Sequence, residues 1–183
     1  MNTLNLWRTN KMTNTLQIKL LSDNATKPKR ADDESAGYDI YAAETVILGP
    51  QEKALVATDL AVNIPKGYVG LLTSRSGVSS KTVLEVETGK IDAGFQGHMK
   101  INVKNDFPMS ENDHEQDFFL TIDQKAIEAD RAHIDLGTYK IQKGDRLAQL
   151  VIVPIWTPEL ETVEEFESES ARGEKGFGSS GTR

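Results

Sequence analysis

The chain has 183 residues, of which 38% are hydrophobic and 27% charged, with a formal net charge of −7. A single domain of this size buries roughly 70% of its unfolded surface, enough for a full hydrophobic core. The acidic balance argues against a nucleic-acid-binding face, and the absence of cysteine excludes disulfides, thiolate metal sites and the His/Cys/Cys zinc centre of base deaminases.

Residues 1–15 read as a polar leader, because Leu4, Leu6 and Trp7 sit among polar residues with no basic-then-apolar signal pattern. No apolar run approaches the ~18 residues of a membrane span, so a cytoplasmic protein without a membrane partner is expected. From Leu16 onward short alternating segments dominate. Leu16, Ile18 and Leu20 alternate with polar residues, as a half-buried strand requires. Residues 45–48 and 53–58 flank the turn pair Gly49-Pro50, and residues 60–64 and 68–73 flank Pro65-Lys66-Gly67. Residues 83–88, 100–104 and 147–155 continue the series. Many short strands at short spacing with Gly/Pro turns indicate an all-β sandwich or barrel.

One stretch interrupts the pattern. An insert at about residues 106–142 holds an acidic run, the apolar segment 118–122 and a predicted helix with Asp123 as N-cap, running to residue 133. Its readings are a solvated appendage and a partner-binding surface. The body accordingly spans residues 16–170, and residues 171–183 form a Gly-rich tail.

Five segments carry candidate chemistry. Asp39, in Ala36-Gly37-Tyr38-Asp39, lies on a strand and is a candidate Mg²⁺ ligand, directly or through water. Arg75, Ser76 and Gly77 follow a strand where a short helix begins, a setting whose N–H groups suit anions. Gly89, Lys90, Ile91, Asp92 and Phe95 lie in a predicted tight hairpin bracketed by Gly89, Gly94 and Gly97. That hairpin either projects an acid and a ring toward a base and sugar, or uses Asp92 as a turn cap and buries Phe95. Gln149 follows the turn at Gly144, where Asp145 and Arg146 are placed to pair with each other. Arg172, Phe177, Gly178, Ser179 and Ser180 form a tail that is either plain disorder or a lid whose arginine and N–H groups hold phosphate while the ring covers a base. The histidines His98, His114 and His133 show no metal-ligand spacing and read as solvated.

Read in order, these five segments resemble the five motifs of trimeric dUTP pyrophosphatases, the dUTPases. The resemblance runs from about Leu16 to the C-terminus, and the insert resembles that of phage-encoded members, particularly those of staphylococcal phages. It implies a jelly-roll β-barrel, a homotrimer, and Mg²⁺-assisted hydrolysis of dUTP to dUMP and pyrophosphate. By similarity Asp92 is the general base that activates water, and Asp39 holds the metal through coordinated waters. Arg75, Ser76, Gly77 and Gln149 would contact phosphates, supplied by a neighbouring subunit. The backbone from Gly89 to Ile91 would read uracil, and Phe95, standing where the family usually has tyrosine, would stack on deoxyribose. Arg172, Gly178, Ser179 and Ser180 would hold the γ-phosphate, with Phe177 over the base. Members from staphylococcal phages act in addition as antirepressors that bind a pathogenicity-island repressor, so the resemblance extends a second, partner-binding role to the insert. The competing readings are a dCTP deaminase-like enzyme, which shares the fold, and a mainly regulatory, nucleotide-gated binding protein.

Overall fold

The computed structural model of the chain describes residues 14–109, 115–130, 133–168, 170 and 173. The leader up to residue 13 with Trp7, His114, and the tail residues Arg172, Phe177, Gly178, Ser179 and Ser180 lie outside the described residues.

The elements in chain order are β1 (Gln17–Leu20), β2 (Tyr38–Tyr41), β3 (Val46–Leu48), β4 (Lys53–Asn63), β5 (Tyr68–Ser74), helix α1 (Ser76–Ser79), β6 (Leu84–Val86), β7 (Gly89–Ile91), β8 (Met99–Asn105), β9 (Glu115–Gln116), β10 (Phe118–Leu120), β11 (Ala126–Glu128), β12 (Ile134–Asp135), β13 (Tyr139–Ile141) and β14 (Arg146–Pro154). They form four-stranded sheets of order β1-β4-β8-β6, β2-β14-β5-β7 and β11-β10-β13-β3, and the pair β12-β9. This is the expected all-β, jelly-roll type of architecture. Among the described residues no helix is long and apolar enough to cross a membrane.

Alternation decides which face of each strand is buried. Along β8, Met99, Ile101 and Val103 are buried while Lys100 is exposed, so the odd positions face the core. Ile40 of β2, Val56 and Leu60 of β4, Leu72 of β5, Ile141 of β13 and Leu147 and Leu150 of β14 complete that core. Burying each such side chain contributes about 1.5–3 kcal/mol against the entropy of ordering the chain.

Two predicted strands, residues 53–58 and 60–64, are one strand in the structure. Ala57 pairs with Lys100 and Leu60 with Met99, so Thr58 and Asp59 stand as a bulge in β4. Asp59 adopts a left-handed backbone there (φ 51°), and buried Thr58 donates its hydroxyl to the Met99 carbonyl while accepting the Leu60 N–H.

The helix expected over residues 123–133 is not formed. Phe118–Leu120 and Ala126–Glu128 make an antiparallel hairpin, with Phe119 opposite Ile127 and fully buried. The turn between them is held by Thr121, whose hydroxyl donates to Asp123 Oδ1 (2.6 Å) and accepts the Lys125 N–H (3.0 Å). Asp123 therefore caps a turn, and tertiary burial of Phe119 overrides the local helix propensity of Lys125-Ala126-Ile127. Nor is this stretch a plain appendage: β10 runs beside β13, whose Ile141 lies in the core opposite β3. Buried Asn105 joins entry and exit by donating to the Leu48 and Gly137 carbonyls at 3.0 and 2.9 Å.

Candidate active site

Two groups of the predicted residues assemble, at opposite ends of β5. The first is centred on Asp39, on β2, which lies opposite Gln149 of β14, and Gln149 in turn lies opposite Thr73 of β5. Sheet pairing thus brings together residues 110 positions apart, with only 4% of Asp39 exposed. Its Oδ1 accepts Arg75 Nε at 2.8 Å and Gln149 Nε2 at 3.3 Å, and its Oδ2 faces Arg146 Nη1 at 3.4 Å. Burial pushes this carboxyl up, but the hydrogen bonds from Arg75 and Gln149 and the charges of Arg75 and Arg146 outweigh it and hold it below its ordinary value. Asp39 is ionised at neutral pH, and it aims one guanidinium and one amide along the same edge.

Arg75 is also the residue at which β5 gives way to α1. Its carbonyl accepts the Val78 and Ser79 N–H groups at 2.9 and 3.0 Å, and no side chain caps the turn. Ser76 and Gly77 open the turn, where backbone N–H groups have no intrahelical acceptor. Gly77 lies under the arginine head: a Cβ there would sit 3.3 Å from Arg75 Nη1. Arg146 was not foreseen in this cluster. It does not pair with Asp145, whose carboxylate instead accepts the Gln142 N–H at 2.8 Å. The register shift in β14 between Arg146 and Ala148 turns the arginine toward Asp39, and nothing in a linear sequence marks that shift.

The second group follows β7. Gly89, Lys90 and Ile91 pair with Leu72, Leu71 and Gly70 of β5. The expected tight hairpin over residues 89–97 is not a closed two-stranded ladder: β7 belongs to one sheet and β8 to another, and residues 92–98 cross between them. A turn at Asp92 starts the crossing, closed by the Phe95 N–H on the Asp92 carbonyl (3.1 Å), with Gly94 in a left-handed conformation (φ 94°). Asp92 is exposed, and Phe95 is 45% exposed rather than packed in the core. The ring lies over Gly97, where a Cβ would come within 2.8–2.9 Å of its Cζ and Cε2 atoms. A Gly97→Ala variant therefore displaces the Phe95 ring.

The registers fix how far apart these groups lie. Ile91 is opposite Gly70, so Asp92 leaves one end of β5 while Arg75 leaves the other. Five residues of strand rise separate Gly70 from Arg75, roughly 16 Å.

A dUTPase family model matches residues 23–110 and 136–181. The chain belongs to the dUTPase family. The unmatched residues of this dUTPase between those spans hold β9, β10, β11 and β12. The deoxyuridine 5'-triphosphate nucleotidohydrolase of Debaryomyces hansenii is 36% identical over 95% of the chain and 92% of its own length, and that of Mycolicibacterium gilvum is 34% identical over 93% and 97%. The dUTPase of Staphylococcus bacteriophage 80alpha, solved with dUpNHpp, is 63% identical, covers 92% of this chain and 99% of its own, and superposes with a TM-score of 0.86. That phage protein is described as controlling transfer of virulence genes by a proto-oncogenic G protein-like mechanism. A dUTPase variant from phage phi11 of S. aureus, 59% identical with a TM-score of 0.81, covers 85% of this dUTPase and 100% of its own chain and is described as coordinating a structural Mg(II) ion.

Proposed function

We propose that this dUTPase-family enzyme hydrolyses dUTP to dUMP and pyrophosphate at sites shared between copies of the chain, with Asp92 as general base. The observation that carries this reading is the separation of Asp92 from the Arg75–Asp39–Gln149 cluster by the length of β5. One α-phosphate is too small to meet both ends of one strand, so Asp92 of one copy works against the phosphate-holding cluster of another. A homotrimer supplies three such sites. The segment after β14 adds support, because Trp156, Leu160 and Phe166 are exposed along a stretch without regular secondary structure and suit burial against a neighbouring copy.

In this arrangement Asp92 accepts a proton from water as the water oxygen bonds to the α-phosphorus and the bond to the bridging oxygen of pyrophosphate breaks. The carboxylate needs only hydrogen-bond reach of that water, roughly 2.6–3.2 Å. Arg75, held straight by Asp39, the N–H groups at Ser76 and Gly77, and the Gln149 amide hold the phosphate chain and meet the charge that builds on it. Gly89, Lys90 and Ile91 offer backbone groups to the uracil edge, and Phe95 stacks on the deoxyribose, where it excludes a 2′-hydroxyl. Arg172, Phe177, Gly178, Ser179 and Ser180 close the site as a lid.

Mg²⁺ is the ion of this reaction, and the residues present fit it in one way. Among the described residues no cluster of three acidic or histidine side chains forms a protein cage. Mg²⁺ keeps its waters and is held chiefly by substrate phosphates, which requires no such cage. Asp39 has two oxygens engaged by three donors, and a carboxylate offers about four acceptor positions, so capacity remains for a coordinated water. Bound in this way, the ion supplies neutralisation of the triphosphate charge.

The test is release of pyrophosphate from dUTP, dCTP, dTTP and UTP, with and without Mg²⁺. Pyrophosphate from dUTP alone supports the reading, and ammonia from dCTP would replace it with deamination.

A second reading is favoured by the likeness to the phage 80alpha protein: binding of a pathogenicity-island repressor through the insert and the active-site region. Deleting residues 106–142 is not a clean test, since β13 and Ile141 would leave the core with them. Calorimetric titration of the whole chain with the repressor, with and without a non-hydrolysable dUTP analogue, is. No binding in either state removes this reading.

A further inference from the structure

The crossing loop that carries Asp92 and Phe95 is fastened to the neighbouring sheet by two side chains that no motif reading selected. Gln96 donates to the Asn63 side-chain oxygen at 3.0 Å, and Asn63 donates on to Gln17 at 2.9 Å, so an amide chain runs from the loop across β4 to β1. Two residues later, His98 Nε2 accepts the Asp59 N–H at 2.9 Å. That bond uses the lone pair of Nε2, which places the ring proton on Nδ1. The Asp59 carboxylate Oδ1, 3.3 Å from the same nitrogen, is then a neighbour rather than a hydrogen-bond partner, while its Oδ2 accepts the Ser22 hydroxyl.

The bulge explains why an imidazole is wanted there. Thr58 and Asp59 have no ladder pairing with β8, and the left-handed Asp59 backbone takes its N–H out of the ladder. Its carbonyl is satisfied by the Leu21 N–H at 2.8 Å. The half-buried His98 ring stands in for the missing ladder acceptor. Between the two fastenings lies Gly97, the residue whose bare Cα seats the Phe95 ring.

We propose that His98 and Gln96 are positioning residues for the nucleotide site: by pinning the backbone on both sides of Gly97 to the β4 bulge and to Asn63, they hold the Phe95 ring in its stacking position and set its discrimination against ribose. This rests on the role of Phe95 given above. Both act on affinity and sugar choice through the ring, as positioning residues rather than as groups that take part in the reaction.

The test compares the full-length wild-type chain with His98→Ala, His98→Gln and Gln96→Ala in three measurements: steady-state kinetics on dUTP and UTP, exchange of the Asp59 amide, and thermal unfolding. His98→Ala is expected to raise KM for dUTP about fivefold, the scale of one lost hydrogen bond, with kcat within about twofold, a smaller dUTP-over-UTP preference, and faster exchange at Asp59. In His98→Gln the side-chain carbonyl can accept the same N–H, so both KM and exchange return toward wild-type values. Gln96→Ala, at an exposed side chain, is expected to raise KM by about threefold and carries the test if His98→Ala does not fold, with an unchanged KM and sugar preference overturning the proposal. Faster Asp59 exchange with unchanged KM and unchanged sugar preference would make the fastening merely structural and overturn the proposal. Equal losses in His98→Ala and His98→Gln would overturn it too. A wild-type chain inactive on dUTP would instead defeat the proposed function itself, a result separate from an active wild type insensitive at His98.

Discussion

Asp92→Asn is expected to bind a non-hydrolysable dUTP analogue as the unmodified chain does while turning over dUTP about 10²–10⁴-fold more slowly. The amide keeps the size and the turn, because the bond that closes the turn uses the Asp92 carbonyl and not its side chain. What it loses is the ability to take a proton. Exposure of the carboxylate is what makes the substitution clean: no buried partner is left without its charge. Pre-steady-state release of pyrophosphate is the measurement, and a rate within tenfold of the original would remove Asp92 from the role of base.

The second large effect is a rescue. Arg75→Ala is expected to be inactive in its own right, since it removes the guanidinium and leaves buried Asp39 with only Gln149 and the more distant Arg146. Asp92→Asn is inactive for a different reason. Unfolding the two variants together and refolding them as mixed trimers places an intact Asp92 of one copy against an intact Arg75 of another. Random assembly at equal proportions restores about a quarter of the sites, so about a quarter of unmodified activity should appear. If Asp92 and Arg75 served the same site within one chain, the mixture would stay as inactive as its parts. The strand registers of β5 with β7 and β14 are what make the shared site the expected outcome.

Much of this was legible in the sequence because it rests on local rules. Period-two alternation and Gly/Pro turns mark β4, β5, β8 and β14, since one face of each strand must be apolar wherever it meets a core. The motif residues Asp39, Arg75, Asp92 and Gln149 could be picked out as chemical groups on strands or just beyond them. Local rules failed where distant contacts outweigh them. The helix expected from Asp123 is a hairpin because Phe119 is buried beside β13, and a linear sequence carries no signal for that neighbour. The bulge at Thr58 and Asp59 was read as a strand break, since an extra pair of residues is visible only against β8.

By itself, then, the sequence determined the all-β class, the family, and the inventory of acids, cations and rings, because these depend on residue type and short spacing. Only the tertiary structure decided that Asp39 is locked by Arg75, Arg146 and Gln149, that Phe95 rests on Gly97, and that His98 completes a bulge. It also decided that Asp92 and the Arg75–Asp39–Gln149 cluster lie at opposite ends of one strand. Each of these follows from strand register, and register is set by which apolar faces find each other across the whole core, a choice that no single segment contains.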